Sequence, residues 1–596
     1  MPSLRSLAGT AVALTLAAAL CGPATAQDAS PSPSASPLAT ATTAPATSDP
    51  KYASAVAAIV GAAPEAMRRQ RAPGMGLALT DRNGTIAVLP FGTADLEHNV
   101  PVTTQTRFGV GSITKSMTAI ALLEARDRGA FDPQAPVTRY LPWFRVHSRW
   151  RAITSHDLLT HTSGLPDGGI GYGAPLDALL LRDQETGYAP GTHWTYSNVG
   201  YETLGAIVEA VDHRSWSAAV RDGVLAPLGM ASSDTDWTFD TLARSATGYL
   251  PFADDRLNDP RVWKLVPAPS AVFVDPAGSV IATPGDMARF ARMLLNGGVI
   301  DGKRLISPSS YALLTRPVAT AGGNVPGLYQ RYAYGLAVAN LDGDTIVGHT
   351  GGTTPYVACM EADLTTGFAA VALTNIGDIA DRPCAIVEYS LRALRAASQG
   401  KPIPVLPAAP DPATVPHARD FAGTYRAPNG ESLAISALQA DRLALAVDGV
   451  QHPLLPAGAA FWTDVPRFAY SGIRFIVDPV SHKPTQLVAA GHWYAGPAYR
   501  GPQTFAHPRA WSAYPGFYRT GGGLGSRPYD LTLRVQLVKG QLVSDDGTPL
   551  VPLRDGSFRF GTDPWSPERI RFDCVIDGKA QRAFLSGVPL GRVPMP

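Results

Sequence analysis

Apolar residues recur at helical spacing in some stretches of the chain and alternate at strand spacing in others. Ile113, Met117, Ile120 and Ala121 fall on one face of a helix that follows a tight turn at Gly109 and Gly111. Arg107 to Val110 reads as its extended entry. Tyr52 to Arg71 and Leu204 to Val211 also read as helices, and so does Met287 to Leu295. Thr283-Pro-Gly-Asp286 starts the last of these, with a capping Thr, Pro at the first helical position and an acid at the third. Ser307-Pro308 starts another the same way. Met75 to Thr80 and Thr85 to Leu89, joined by Asn83-Gly84, predict a hairpin. Tyr332 to Asn340, Thr345 to Thr350, Tyr356 to Glu361 and Phe368 to Thr374 predict consecutive antiparallel strands with Gly-rich turns. A helix over Cys384 to Ala396 closes the unit.

After this unit the pattern changes. Residues 401–416 are Pro-rich, a stiff linker, and the chain beyond residue 416 is β-like and repeats itself. Phe421-Ala-Gly-Thr-Tyr-Arg426 matches Tyr514-Pro-Gly-Phe-Tyr-Arg519, and Ile473-Arg-Phe475 matches Ile570-Arg-Phe572 at nearly the same offset. Leu487 to Gly491 and Ala583 to Gly587 close the two copies alike. Short strands in two such units predict small antiparallel barrels, with independent β-sandwiches as the alternative. The copies differ most at Thr520 to Pro528. This Gly-rich insertion is either a plain surface loop or a loop that reaches over a neighbouring cleft. At the other end, Arg5, the apolar run Leu7 to Leu20 and Ala24-Thr-Ala26 predict an export leader cleaved after Ala26. The expected organisation is a leader at 1–26, a Ser/Thr/Pro-rich disordered tether at 27–50, a main body at 51–400, the linker at 401–416, and repeats at 417–508 and 509–596. The mature protein is expected in the periplasm or secreted.

Composition narrows the function classes. The 596 residues carry a net charge of only +1, with scattered basic residues, so nucleic acid is not an expected partner. No stretch after the leader is long and apolar enough to span a membrane. Cys359, Cys384 and Cys574 fit no zinc spacing; Cys359 with Cys384 is one candidate disulfide, and three unpaired thiols are the alternative. His156 and His161 are five apart with no glutamate between them, so they do not form a zinc-protease box. A nucleophile elbow of the G-x-S-x-G type is absent.

The remaining chemistry centres on Ser112. It begins the buried helix, where free N–H groups favour negative charge on a reacting oxygen. Lys115 follows one turn later on the same side, and a buried lysine, unlike an arginine, can give up its proton and act as a base. Two other S-x-x-K matches, Ser48 to Lys51 and Ser398 to Lys401, lie in connectors with no buried helix to hold the pair. Tyr196-Ser197-Asn198 sits on a loop before a helix. His349-Thr-Gly-Gly352 lies between two strands, where glycine permits close backbone approach.

Ser112-x-x-Lys115, Tyr196-x-Asn198 and His349-x-Gly351, in that order, resemble the penicillin-recognising serine hydrolases, in particular their class C β-lactamase-related branch of D-aminopeptidases, D-alanyl-D-alanine carboxypeptidases and esterases. The resemblance covers about residues 55 to 395. It implies an α/β (α+β) body, an antiparallel sheet covered by helices beside a helical region, with the cleft between them. The repeats resemble lipocalin-like barrels attached to some of these relatives. For this chain it implies Ser112 as nucleophile and Lys115 or Tyr196 as base. It also implies an oxyanion site from the N–H groups of Ser112 and Gly352, with Asn198, His349 and Gly351 against the substrate. No metal or organic cofactor is implied. The expected partner is a small-molecule or peptide substrate, cell-wall fragments included. Relatives that hydrolyse β-lactams usually carry Lys where this chain has His349, so weak β-lactamase activity is expected, with amides or esters of D-amino-acid type preferred. A D,D-carboxypeptidase and a non-catalytic sensor of cell-wall fragments are the alternatives.

Overall fold

The computed structural model describes residues 49–594 except 168–175, 177, 180, 183, 252–263, 269–273, 322–329, 378–381, 409–410, 440 and 521–531. The expected leader, nearly all of the expected tether, and the 520–528 insertion beyond its first residue lie outside the described residues. Five helices and six strands position the site. The helices are α1 (Ala53–Gln70), α2 (Thr114–Asp127), α3 (Asn198–Asp212), α4 (Pro284–Leu295) and α5 (Cys384–Ser398). The strands are β1 (Gly74–Asp81), β2 (Thr85–Asp95), β3 (Ala337–Leu341), β4 (Asp344–Thr353), β5 (Tyr356–Asp363) and β6 (Phe368–Thr374).

β1 and β2 form the expected hairpin. Asp81 Oδ1 accepts the backbone N–H groups of Asn83 (2.7 Å) and Gly84 (2.9 Å), a local bond that fixes the turn. β3 to β6 come next as an antiparallel meander, and β6 pairs with β1. Three short strands extend this sheet to nine. Because strand side chains alternate, the sheet has two apolar faces. Met75, Leu77, Leu79, Ala370 and Ala372 pack beneath α1 and α5. Ala369, Val371 and Leu373 join a larger core with α2, α3 and α4. The strand expected over Tyr332 to Asn340 is broken in two. Gly335 takes a φ of +71°, and a side chain there would collide with the backbone of Lys115 at 2.7 Å, so the chain turns where it presses on the start of α2.

The thiols of Cys359 on β5 and Cys384 at the start of α5 are joined in a disulfide with a Cα–Cα distance of 5.3 Å, and Cys574 is an exposed free thiol. The bond fastens α5 to the middle of the sheet.

Both repeats are eight-stranded antiparallel units. The first closes into a barrel over Gly423 to Ala495. In the second, a single bridge between Val543 and Pro549 links the two ends of the strand order. The matched motifs occupy matched places. Tyr425 Oη donates to Phe421 O (2.9 Å) and Tyr518 Oη to Tyr514 O (2.6 Å), and each tyrosine ring lies 5.7 Å from the repeat's own Phe475 or Phe572. Their interiors are filled by apolar side chains such as Leu443 and Leu487 in the first and Leu542 and Leu590 in the second.

The disulfide closes a loop of sequence separation 25, which removes chain entropy from the unfolded state. Cys359→Ser with Cys384→Ser is expected to lower the stability of the body by about 3 kcal/mol, read as a shifted unfolding midpoint in urea. An unchanged midpoint would contradict this.

Candidate active site

Phe108–Gly109 is a short strand paired with Ile281–Ala282, and a single helical turn over Gly111 to Ile113 runs on into α2. Gly111 makes this junction possible. Its φ is +55°, and a Cβ there would sit 2.4 Å from Gly352 N. Gly351 answers it from β4, where a Cβ would meet Val110 O at 1.9 Å. Two backbones therefore lie in contact, and the N–H groups of Ser112 and Gly352 come from the two sides of that contact.

Ser112 is partly exposed, whereas Lys115 is fully buried. Lys115 Nζ lies 3.0 Å from Ser112 Oγ, 2.6 Å from Asn198 Oδ1 and 2.8 Å from Ala277 O. As an ammonium it donates to all three. As a neutral amine it donates to Asn198 and Ala277 and turns its lone pair to the serine hydroxyl. Burial drives its pKa down to about 8, against the pull of Asp275, Asp167 and Glu202, which favour the charged form. Tyr196 hydrogen-bonds the Ser112 hydroxyl, and its ring lies 4.9 Å from Lys115 Nζ. Desolvation raises its phenol well above the ordinary range, and the Ser112 hydrogen bond offsets only part of this.

The loop carrying Tyr196 is strapped down residue by residue. Thr195 N–H donates to His161 O (2.8 Å), Ser197 N–H to His161 Nδ1 (3.1 Å) and Ser197 Oγ–H to Pro166 O (2.7 Å). Ser197 also caps α3 by accepting from Gly200 N–H at 3.1 Å. Arg151 adds a bidentate pair to the buried Asp157 (2.6 Å each) and a bond to Pro190 O (2.9 Å). His161, one of the two histidines rejected as a metal box, is central. Its buried ring lies 4.4 Å from Tyr196, 4.8 Å from Tyr332 and 5.1 Å from Tyr201. Burial first, then Lys115 and His349, hold it neutral.

The structure brings Ser112, Lys115, Tyr196, Asn198, Gly351 and Gly352 together, but His349 differs from expectation. Its side chain has no exposed surface. Nδ1–H donates to Thr350 O (2.5 Å), and Nε2 accepts from the Tyr332 hydroxyl (2.9 Å). Burial lowers its pKa to about 3, so it is a neutral support 6.2 Å from the Tyr196 ring rather than an open edge of the cleft. A permanent cation nevertheless stands beside this strand, at a position the motifs do not mark. Arg382 Nη1 donates to Gly351 O (3.0 Å), and its charge acts on both Tyr196 and His349.

Two acids complete the site. Asp167 Oδ1 accepts from Asn198 Nδ2 (2.9 Å) and Asn198 N–H (3.2 Å). Glu568, from the second barrel, accepts Asp167 N–H (2.7 Å) and also holds Ser586. Desolvation, then the Glu568 charge, raise Asp167 to about 6; its surface is open to water, which screens part of that effect. The same barrel segment stacks Trp565 on His193 at 4.5 Å and packs Pro567 against Gly187. Arg382 and Glu568 lie far from the motifs in sequence, and no local pattern marks them.

A protein-family model named Beta-lactamase matches residues 58–387. Penicillin-binding protein 4 of Amycolatopsis lactamdurans is 31% identical over 314 residues, covering 51% of this chain and 81% of that protein. Esterase EstB of Burkholderia gladioli is 35% identical over 189 residues, 28% of this chain and 48% of the esterase. The octameric penicillin-binding protein homologue from Pyrococcus abyssi has the same fold, with a TM-score of 0.52 at 20% identity over 74% of this chain and 99% of that one. The serine with its buried lysine and these matches agree: the chain belongs to the Beta-lactamase family and is a serine hydrolase.

Proposed function

We propose that this is an exported hydrolase that cleaves amide or ester bonds after a residue with a free amino group, the D-amino-acid amides and peptides first among them. It works through an acyl-enzyme. Ser112 Oγ attacks the carbonyl carbon while neutral Lys115 takes its proton, because lowering the amine to about 8 makes the base available near neutrality while the phenol is pushed the other way. The oxyanion collects between the N–H groups of Ser112 and Gly352. Tyr196, still a phenol, passes a proton to the leaving group and recovers one from water during deacylation. Asn198 holds Lys115 and meets the substrate amide.

The observation that carries the substrate class is the pair of carboxylates, Asp167 and Glu568, joined to Lys115 through Asn198. Two acids so close repel each other, and an ammonium group between them relieves the repulsion. Arg382, at the Gly351–Gly352 strand, supports a second reading in which the leaving group carries a carboxylate, as in a D,D-carboxypeptidase.

Two outcomes are expected. The rate of acylation of a neutral ester rises as pH passes about 8, where Lys115 loses its proton, and Lys115→Arg, which stays charged, lowers it by about three orders of magnitude or more. A flat profile, or an active Arg variant, would show that Lys115 is only a structural cation. On D-alanine p-nitroanilide against its N-acetyl derivative, kcat/KM favours the free amine by about tenfold or more, and Glu568→Gln removes most of that preference. Equal turnover of both substrates by the wild type would sink the substrate reading.

A further inference from the structure

A groove of about 1020 Å³ lies between the body and the second barrel, away from Ser112 and Lys115. Its described lining includes Arg149, Arg182, Arg554, Arg569 and Arg571, but only two carboxylates, Glu185 and Asp555. The whole chain carries an excess of one positive charge, so this is a concentration of charge. Glu185 is already committed, gripping Arg149 at 2.9 and 2.8 Å, and Asp555 accepts from Ser557. Among the described residues, no carboxylate comes within ion-pair distance of Arg554, Arg569 or Arg571.

The barrel holds these cations in place at a cost. Arg569 and Arg571 stand two apart on one strand, so their side chains leave the same face about 7 Å apart. Arg571 lies over the ring of Phe584 at 4.7 Å, which fixes its stem. Arg569 is directly opposite Arg559 in the register, a like-charge pair that weakens a sheet. Arg559 Nε is buried with no hydrogen-bond partner, and the charges of Asp555 and Glu185 offset only part of the crowding at Arg569. Burial, then Arg559, depress the half-buried Arg569. Leu176, Leu179 and Leu553 form an apolar wall, which lowers the local dielectric and strengthens any charge pairing in the groove.

We propose that this groove is an anion-binding site for a ligand carrying two or more phosphate or carboxylate groups. Guanidinium forks at strand spacing suit such a ligand, since each fork takes one oxyanion in a bidentate way. The site goes beyond the hydrolytic reading and does not depend on it. Arg569 follows Glu568 directly, so a bound anion lies beside the segment that reaches the catalytic mouth.

The test is calorimetric titration of the full chain at low salt, with tripolyphosphate in one arm and citrate in the other. At least one anion binds the wild type, and its affinity falls as salt is raised. Arg569→Gln with Arg571→Gln weakens that binding by at least about tenfold, while Arg419→Gln, an exposed change on the first barrel, leaves it unaltered. Tighter tripolyphosphate binding assigns a phosphate ligand, and tighter citrate binding a carboxylate one. If the double variant fails to match the wild-type unfolding midpoint, Arg554→Gln, at an exposed position, is read instead and is expected to weaken binding several-fold. Absence of binding by either anion, or undiminished affinity in the groove variants, would overturn the proposal.

Discussion

Lys115 has no exposed surface, yet its amine reaches three oxygens: the serine hydroxyl, the Asn198 side chain and a backbone carbonyl. Burying an ammonium is expensive, and the surrounding structure is arranged so that either protonation state is tolerable. Acids at Asp167, Glu202 and Asp275 keep the charged form from being prohibitive, while burial keeps the neutral form within reach. The packing of α2 against α3 and the sheet has to deliver Ser112, Asn198 and Ala277 to one point. A loosened contact there lets water in and returns the amine to its ordinary basicity.

Around that point the support is neutral on one side and charged on the other. His161, His349 and Tyr196 are all held uncharged by burial, so Lys115 is not repelled by imidazolium neighbours. Asp167 and Glu568 bring negative charge on the Asn198 side, and Arg382 brings positive charge along β4. Glu568 belongs to the second barrel, so the mouth of the cleft is built from two parts of the chain more than four hundred residues apart. The barrel is therefore a structural component of the site rather than an appendage.

Much of this was legible in the sequence because it is encoded locally. The Asn83-Gly84 turn, the Thr283 and Ser307 caps and the S-x-x-K spacing on an apolar helix face each depend on a few adjacent residues. The repeat was legible because Tyr425 and Tyr518 make the same bond to a carbonyl four residues earlier. What could not be read depends on distant packing. The break at Gly335 exists because that turn meets α2, and the burial of His349 exists because Tyr332 and Tyr196 close over it. Arg382 and Glu568 are ordinary surface-type residues in isolation. Only the fold sets one beside Gly351 and the other on Asp167.

The central claim is that Ser112 is the acylated nucleophile and that neutral Lys115 activates it. The most direct measurement is labelling with a fluorophosphonate across a pH series, followed by peptide mass spectrometry. The account predicts a single adduct, on Ser112, whose rate of formation rises as pH passes about 8, and no adduct in Ser112→Ala. An adduct on Ser163, Ser197 or any other serine, or labelling of Ser112 that is indifferent to pH, would contradict it.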